Sequence, residues 1–412
     1  MARQVDALFE PSVLECPHAY LADLRDHDPV HRIPGTEAYL VSSLDLIKEV
    51  VGDPERFSSR TNEFLFLDAD GRAGLRPPLG EPGHDEDAVG VLATADPPDH
   101  PRHRRLLSPL LSVGAVAKRE DEYRALIDDA LTPALAAGRV EWMGAIAEPL
   151  PMLMVTRLLG VADEDSPVLK AQGYASVELI GGFCTAEQIP ALQATLVELG
   201  PAIAAFAAAG EDPTEEDGSI SAVLARAVSA GDIDELEALA MIAILLAAGG
   251  ESTTSLLGAG VRALAEDPDL QGRLRDDPSL IPTFVEEVCR VEPPFRGHYR
   301  RVTTDTTLGG VDLPAGSRLV LSWPAANRTD ALGGATIDVE RGSPRQHVGF
   351  GWGPHLCVGA PLARMEARVT FEQLLARTSS FSIDADAEVV HHRSLMVRRL
   401  EQLPLTLVPS RP

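Results

Sequence analysis

The sequence predicts a mainly α-helical protein with small β-sheets, an α+β fold, on three observations. Hydrophobic periods of the helical kind dominate the chain after residue 91. One helix of about thirty residues is predicted to begin at Asp234, and at 1.5 Å per residue it would span ~50 Å. Short β-segments are expected mainly within residues 28–60, 300–325 and 380–410.

The predicted elements follow in order along the chain. Residues 30–41 predict a small hairpin and residues 44–51 a helix. Residues 63–91 are polar and rich in glycine and proline, and such a long irregular segment indicates a functional loop or lid. Residues 210–219 predict an acidic surface loop that serves solubility. A capping-box pattern then opens the long helix at Asp234.

Two adjacent glycines, Gly249 and Gly250, lie within the long helix. Each costs about 1 kcal/mol relative to alanine in a helix interior, so a compensating role is expected. A helix that passes close over a flat ligand, with a local bulge, would explain both glycines. A close contact between two helices is the alternative explanation.

Composition and charge argue against several classes of protein. The chain of 412 residues is 45% hydrophobic and carries a formal net charge of −26, which argues against nucleic-acid binding. Its four cysteines are far apart and indicate neither a disulfide framework nor a zinc site. The first residues predict no signal peptide, and the longest apolar stretch, residues 238–248, is too short to span a bilayer. We therefore expect a soluble cytoplasmic protein without a membrane partner, monomeric by default.

The most informative segment is residues 350–359, in which Cys357 ends a glycine-punctuated loop directly before a helix-forming run. A sulfur at this place can accept backbone N–H groups and lies at the positive end of the helix, which favours the thiolate. Such a thiolate suits an axial haem ligand. A lone cysteine in a turn is more often structural, and only the ten-residue pattern favours the ligand.

The neighbours of the cysteine each have a physical role in this interpretation. Phe350 can lie over the macrocycle, and His355 can reach a haem propionate. Gly351 and Gly359 allow close approach that a side chain would block. The segment resembles the cysteine-ligand loop of the cytochrome P-450 family, the haem-thiolate monooxygenases.

The resemblance extends from about residue 18 to residue 408, and its landmarks come in the family's order. It implies the cytochrome P-450 fold as a single domain over residues 1–412. In that fold a triangular helical prism holds the haem between the oxygen helix and the helix after the cysteine. Glu287 and Arg290 are implied to form a buried structural pair, with Arg341 as its third member.

The resemblance also implies the cofactor and its contacts. The cofactor would be haem b, with Cys357 bound to the iron. Four basic residues would face the propionates, since charge-assisted contacts suit carboxylates. The cofactor contacts implied in addition to those of the cysteine loop are His100, Arg104, Arg300, Ala248 and Gly249.

The oxygen helix of the family carries an acidic residue followed by an alcohol. Glu251 holds the acid position and Ser252 the alcohol position, where threonine is the commonest residue. Serine keeps the hydroxyl but lacks the methyl group that fixes the rotamer. Thr253 follows directly and could substitute if the helix were rotated or bulged. These three residues are the implied catalytic group.

The implied function is a monooxygenase that uses O₂, with electrons from NAD(P)H through a reductase and a ferredoxin. The ferredoxin would dock on the Cys357 side, where arginines cluster; ordinary solvated arginines are the alternative. Two other functions stay open. One is a peroxygenase or a non-oxygenating haem-thiolate enzyme, and the other is a haem-bearing ligand-binding protein without turnover. The clustered arginines are Arg102, Arg104, Arg105, Arg364 and Arg368.

The substrate is expected to be a small organic molecule. Its pocket would draw on residues 63–91, 177–183 and 394–397 as well as the oxygen helix. Arg296 or His298 would bind an oxygenated or anionic group, and service to the propionates or to each other is an equal alternative. The single residues expected at the substrate are Phe295, Arg296, His298, Ala247 and Met396.

Overall fold

Helices form most of the structure, a computed structural model that describes residues 5–78, 89–211 and 218–410. Residues 79–88 of the predicted lid and 212–217 of the predicted acidic loop lie outside the described residues. The described α-helices are α1 (Pro11–Glu15), α2 (His18–His27), α3 (Leu44–Gly52), α4 (Asp99–Leu107), α5 (Val113–Ala117), α6 (Glu120–Ala137), α7 (Pro149–Leu159), α8 (Ser166–Ile180), α9 (Ile189–Leu196), α10 (Gly200–Glu211), α11 (Ile220–Ala230), α12 (Glu235–Glu266), α13 (Pro268–Asp276), α14 (Ile281–Val291), α15 (Trp323–Asn327) and α16 (Ala360–Arg377).

The strands lie mainly towards the two ends of the chain. They are β1 (Val30–Arg32), β2 (Ala38–Val41), β3 (Phe57–Ser58), β4 (Phe64–Leu67), β5 (Ala73–Arg76), β6 (Arg139–Glu141), β7 (Gly297–Val302), β8 (Thr306–Leu308), β9 (Val311–Leu313), β10 (Arg318–Ser322), β11 (Thr378–Ile383) and β12 (Pro404–Pro409). The mainly helical architecture with small sheets confirms the predicted fold class.

Five strands form the largest described sheet, in the order β1-β2-β10-β7-β3. Strand β10 pairs parallel with β2 and antiparallel with β7, so distant parts of the chain meet in one sheet. The hairpin predicted at residues 30–41 is confirmed as β1 and β2. Inside the predicted lid, β4 and β5 form a second hairpin that the sequence did not indicate. Strands of four residues give too short a pattern to distinguish from a loop.

Helix α12 is the longest described helix and packs against α7, α8 and α16. Its start is the predicted capping box: the Glu237 N–H donates to Asp234 Oδ1 at 2.7 Å, and the Asp234 N–H donates to Glu237 Oε2 at 2.9 Å. The helix therefore runs as predicted from Glu235 to Glu266.

Close packing against α7 explains the two adjacent glycines of α12. A Cβ added at Gly249 would lie 2.7 Å from Val155 Cγ2, and one at Gly250 would overlap Met152. Helix α12 continues as an α-helix through this point, without a bulge. The contact between helices therefore explains both glycines without a bulge, and the contact of Gly249 with the cofactor stays a prediction.

Two helical segments are long and apolar enough to cross a membrane by length and composition alone, Ile189–Glu211 and Glu235–Glu266. The expectation from the longest apolar stretch, residues 238–248, did not include these two segments. It rested on an uninterrupted apolar run, whereas a helix with a few polar residues can be equally apolar on average. Half of the apolar window of Glu235–Glu266 is buried inside the protein, against 11% of that of Ile189–Glu211.

A buried ion pair joins α14 to the segment that follows α15. Arg290 donates to both carboxylate oxygens of Glu287 at 2.7 Å, and both side chains are fully buried. Arg290 also donates to the carbonyls of Gly334 and Thr336, each at 2.6 Å. Arg341 Nη1 lies 3.7 Å from Glu287 Oε1. The three residues implied to form a structural lock therefore lie together.

Replacing Arg290 by methionine should lower the free energy of unfolding by about 3–5 kcal/mol, because the buried Glu287 carboxylate would lose its partner. Urea unfolding of the haem-loaded protein, followed by circular dichroism, measures the change. Arg262→Met is the control, since Arg262 forms a partly exposed pair with Glu266 one turn away. That variant should change stability by less than about 0.5 kcal/mol, and equal effects of the two substitutions would contradict the structural role of Arg290.

Candidate active site

The loop before α16 places Cys357 just ahead of the helix N-terminus. The Cys357 N–H donates to the Phe350 carbonyl at 2.8 Å, and the Gly351 N–H donates to the Val348 carbonyl at 2.8 Å. Gly351 has a φ of 76°, in the left-handed region that glycine adopts without strain. Since α16 begins at Ala360, the sulfur lies where the sequence pattern placed it.

Residue Cys357 keeps exposed surface, yet the surrounding protein desolvates its thiol. Burial by the surrounding protein raises the pKa of its thiol, although the residue retains exposed surface. Hydrogen bonds from the Gly359 and Ala360 N–H groups and the charges of Arg104 and Arg364 oppose that rise in pKa. The N–H groups at the start of α16 lower the pKa of the thiol as expected, but burial raises it by more. A bound metal ion would lower the pKa of the thiol further, because a thiol that coordinates a metal is deprotonated.

Behind the cysteine loop, Glu286 of α14 holds two basic side chains. Arg364 donates to its carboxylate at 2.6 and 3.0 Å, and His347 Nε2 lies 3.1 Å from it. The Arg364 guanidinium stacks on Phe350, 4.3 Å from the ring centroid. Burial raises the pKa of Glu286, but the hydrogen bonds from His347 and Arg364 outweigh it and hold that pKa at about 2. Sequence reasoning missed Glu286, because a glutamate beside Glu287 gives no separate signal.

Two histidines from distant parts of the chain stack beside the cysteine loop. The rings of His100 in α4 and His355 have centroids 4.0 Å apart. His355 Nε2 contacts Ser59 Oγ at 3.0 Å, but its buried Nδ1 has no hydrogen-bond partner among the described residues. Burial, followed by the charge of Arg300, lowers the pKa of His355 to about 2. The histidine is therefore neutral and has a polar atom available for a ligand.

Strand β7 adds buried positive charge at the same place. Arg300 is buried and donates to the Tyr299 carbonyl at 2.8 Å, and burial lowers its pKa to about 10. Burial likewise lowers the pKa of His298 to about 4. Arg104 donates to the Leu356 carbonyl at 2.9 Å and so reaches the cysteine loop.

These side chains form a group with little negative charge, called the basic cluster below. Burial lowers the pKa of His100 in α4 and of Arg300 in β7. Among the described residues, Asp96 is the carboxylate whose charge opposes this lowering at both residues. A buried imidazole nitrogen without a partner and a desolvated guanidinium fit a dianionic group. The two propionates of haem b are such a group, so the residues present fit the cofactor. The basic cluster consists of His100, Arg104, His298, Arg300 and His355.

On α12, Glu251 is a buried acid held by one arginine. Its side chain is 3% exposed, and Arg399 Nε donates to its Oε1 at 2.9 Å. Its Oε2 is buried without a hydrogen-bond partner among the described residues. Burial raises the pKa of Glu251, and the Arg399 charge opposes that rise. Sequence reasoning missed Arg399, because no local pattern links it to a residue so far away in the chain.

The two alcohols after Glu251 face different neighbours. Ser252 Oγ donates to the Ala248 carbonyl at 2.6 Å, and Ala248 is exposed in the middle of this core helix. Ala248 therefore has open space beside it at this point of the helix. Thr253 is buried towards Glu366 of α16, where burial raises the pKa of that carboxyl and Thr253 opposes the rise. The condition under which Thr253 could replace Ser252, a rotated or bulged helix, is not met, because α12 is a continuous α-helix here.

The segments expected to line the substrate pocket meet in one hydrophobic cluster, called the distal cluster below. The Leu395 N–H donates to the Gly181 carbonyl at 2.8 Å, and the Leu67 N–H donates to the Gly182 carbonyl at 2.9 Å. These bonds tie the β4–β5 hairpin, the end of α8 and the residues before β12 at one point. The members used below are Phe64, Leu67, Leu75, Val177, Ile180, Phe183, Phe295, Leu395, Met396 and Val397.

The structure separates the roles expected of Arg296 and His298. Arg296 donates to the Leu14 carbonyl at 2.6 Å and to the Val397 carbonyl at 3.3 Å. His298 belongs to the basic cluster and lies against Phe295, with ring centroids 5.5 Å apart. The proposed contact of Arg296 with an anionic substrate is weakened, because backbone carbonyls accept from its Nε and Nη2. His298 fits the alternative, service to the propionates.

Most of the arginines expected to form a basic docking surface are neutralised internally. Arg102 pairs with Glu237, and Arg364 pairs with Glu286. Arg368 pairs with Glu372 at 2.8 Å and with a second glutamate on α6. The predicted charge patch is therefore weaker than the sequence suggested, because intramolecular carboxylates are not visible in a count of clustered arginines.

Comparison with known proteins agrees with this geometry. The family described as Cytochrome P450 matches residues 335–398. "Cytochrome P450 144" of Mycobacterium tuberculosis is 39% identical over 414 residues, covering 99% of this chain and 92% of that protein. The solved cytochrome P450 enzyme CxnD, described for C–S bond formation in chuangxinmycin biosynthesis, is 28% identical with a TM-score of 0.82 and full coverage of both chains. Cytochrome P450 CREJ, solved with (4-ethylphenyl) dihydrogen phosphate, is 25% identical, with a TM-score of 0.84 and coverage of 95% of this chain and 97% of that chain.

A cysteine before a helix, a buried basic cluster and an acid–alcohol pair on a long helix define a haem-thiolate oxidoreductase. The chain belongs to the cytochrome P450 family. Its cofactor is haem b, its co-substrate is O₂, and its electrons come from NAD(P)H through a redox partner. When bound, the haem supplies the reductive activation of O₂, and the protein supplies binding, orientation and protons.

Replacing Arg300 by leucine should speed haem loss about tenfold, because one charge-assisted contact to a propionate is removed. Transfer of haem to excess apomyoglobin measures the rate. Arg105→Leu is the matched control, since Arg105 is exposed on α4. Equal rates in the two variants would show that Arg300 does not hold the cofactor.

Replacing Glu366 by glutamine should make stability less dependent on pH. Burial raises the pKa of Glu366 well above its usual value of 4.5. The contribution of this group to stability is therefore fully present below about pH 4.5 and is lost as pH rises through the folded pKa. Glutamine does not titrate, so the stability of the variant relative to wild type should grow from pH 5 to pH 8, by up to ~1.4 kcal/mol per unit. Urea titrations at both pH values measure it, and a constant difference would contradict the raised pKa.

Proposed function

We propose that the protein is a monooxygenase that inserts one oxygen atom from O₂ into a small organic substrate. The observation that carries the proposal is the Glu251 side chain, a buried carboxyl with a raised pKa and one oxygen without a hydrogen-bond partner among the described residues. It lies next to Ser252 and one turn from the exposed Ala248. Such a group suits proton delivery at a buried site, and simple ligand binding does not require it.

The residues divide the work of this reaction between them. Cys357 would bind the iron, and the basic cluster would hold the propionates. Arg399 positions Glu251, whose Oε2 takes up and releases the proton, and the Ser252 hydroxyl orients water beside it. Ala247 and the distal cluster hold the substrate and exclude bulk water. The loop residues that shape the proximal face are Phe350, Gly351 and Gly359.

We propose a ferredoxin-type carrier as electron donor, docked on the cysteine loop. Trp352 and Leu356 of this loop are 40% and 46% exposed, and Lys48 lies 4.5 Å from the Trp352 ring centroid. Since internal carboxylates bind most of the nearby arginines, this apolar pair with exposed Arg105 would carry much of the contact. We further propose that residues 1–412 act as one domain in a soluble, cytoplasmic monomer.

Isotope incorporation tests the proposed reaction. A compound selected by its shift of the Soret band is incubated with the protein, a ferredoxin, its reductase, NADPH and ¹⁸O₂. The proposal requires a product that carries one ¹⁸O atom. Equal product formation with hydrogen peroxide alone would favour a peroxygenase, and a spectral shift without product under either supply would favour a ligand-binding protein.

Replacing Glu251 by glutamine should lower product per NADPH consumed about tenfold and raise peroxide release, because glutamine cannot exchange the proton. Product and peroxide are quantified in the same reaction. Glu235→Gln, at the exposed start of α12, is the control and should leave the ratio unchanged. If the Glu251→Gln variant forms as much product per NADPH as the wild type, Glu251 does not deliver the proton and the proposal loses its main support.

A further inference from the structure

Arg399, which holds the buried acid of the site, is shared between two carboxylates. Its Nε donates to Glu251 Oε1 at 2.9 Å, and its Nη1 lies 3.5 Å from Glu148 Oε1. Glu148 directly precedes α7, and its Oε2 accepts from Lys170 Nζ of α8 at 2.9 Å. Four side chains therefore form one row of alternating charge, called the charge row below, in the order Glu251, Arg399, Glu148 and Lys170.

The charge row runs from the core of the protein to its surface. The exposed fraction of the side chain rises from 3% at Glu251 through 13% at Arg399 and 18% at Glu148 to 33% at Lys170. Solvent screens buried and partly buried charges much less than exposed ones. A change of charge at the outer end of the row can therefore be felt at its buried end.

Contacts with α12 and α8 fix the middle of the charge row. Thr254 of α12 donates to the Ala147 carbonyl at 2.8 Å, which holds the residue before Glu148 against α12. The Tyr174 hydroxyl of α8 contacts the Thr254 hydroxyl at 3.2 Å, and the Tyr174 ring centroid lies 5.3 Å from Arg399 Cζ. The arginine and its outer carboxylate are therefore fixed beside the turn of α12 that carries the acid.

The two carboxylates compete for the charge of Arg399. Burial acts to lower the pKa of Arg399, but the charges around it, with that of Glu251 first and that of Glu148 among them, raise it. Burial raises the pKa of Glu251, and Arg399 opposes that rise. Because Glu148 draws part of the Arg399 charge away from Glu251, it weakens that opposition. Lys170 has the reverse effect, because it neutralises Glu148.

Other ionisable groups also face Glu251 from two elements. Besides burial and Arg399, the charge of His392 lowers the pKa of Glu251 and the charge of Glu178 raises it. His392 and Glu178 bind each other at 2.7 Å, and Glu401 lies 3.7 Å from His392. These groups do not belong to the charge row, and substitutions within the row leave them in place.

We propose that Glu148 and Lys170 are positioning residues that set how firmly Arg399 holds Glu251, and so how readily Glu251 takes up and releases its proton. Both act through Arg399 and not by contact with the substrate. The inference rests on the proposed function, which makes Glu251 the group that delivers protons. It requires opposite effects at the two outer positions, because removing the Glu148 charge strengthens the hold on Glu251 and removing the Lys170 charge weakens it.

Infrared spectroscopy of the haem-loaded protein tests the proposal without turnover. The protonated Glu251 carboxyl gives a C=O band that is absent from the Glu251→Gln reference, and its intensity against pH gives the midpoint of protonation. Glu148→Gln should move this midpoint to lower pH and Lys170→Met should move it to higher pH, each by about half a unit. Unchanged midpoints, or shifts in the same direction, would overturn the proposal.

Two further variants show whether Arg399 is the link. Glu122→Gln removes one of the two carboxylates that share Arg157, so it is a matched control and should leave the Glu251 midpoint unchanged. In an Arg399→Met background, Glu148→Gln should shift the midpoint by less than about a third of its effect in the wild type. A full shift in that background would show that Glu148 acts directly on Glu251, against the proposal.

Product per NADPH, measured against pH, connects the charge row to the reaction. It should fall as rising pH removes the proton from Glu251, at lower pH in Glu148→Gln and at higher pH in Lys170→Met than in the wild type. Infrared midpoints that shift without a change in this profile would overturn the link to proton delivery. A wild type without product would contradict the proposed function, whereas the infrared midpoints would still decide whether the charge row controls the hold on Glu251.

Discussion

The basic cluster brings five side chains from α4, β7 and the cysteine loop together, and Asp96 is the carboxylate among the described residues whose charge acts on His100 and Arg300. Burial of such charge is unfavourable unless an anion balances it. The rest of the site depends on this constraint. A cofactor whose two carboxylates bind the basic cluster would be held at a fixed distance from Cys357. These residues would therefore hold a flat dianion at the basic cluster, with Cys357 as the ligand of its metal.

Three carboxylates held by arginines support that arrangement from different directions. The Glu287–Arg290 pair fixes the segment under the loop, and Glu286 anchors Arg364 against the Phe350 ring. Both are structural, since their carboxylates are saturated by donors. Glu251 differs, because Arg399 occupies one of its oxygens and leaves the other without a partner. Glu286 and Glu287 therefore have structural roles, whereas Glu251 has an oxygen that can exchange a proton.

The fold class, the long helix and the cysteine loop were predictable because each has a local pattern. A capping box at Asp234 and ten consecutive residues around Cys357 need no knowledge of the tertiary structure. Pairings between distant residues were not predictable: β6 joins β12 with Val140 opposite Leu405, and Arg399 reaches Glu251. The same reason explains what the sequence left open. The partners of Gly249, Thr253 and Arg296 lie on other elements, and sequence patterns do not reveal which partner takes a donor or fills a space.

The most direct test of the central claim is the spectrum of the purified protein, reduced with dithionite under carbon monoxide, beside that of Cys357→Ala. Thiolate ligation predicts a strongly red-shifted Soret band in the wild type that the substitution abolishes. A band at the position typical of histidine ligation, or an unchanged spectrum in the variant, would contradict the assignment of Cys357 and the site built around it.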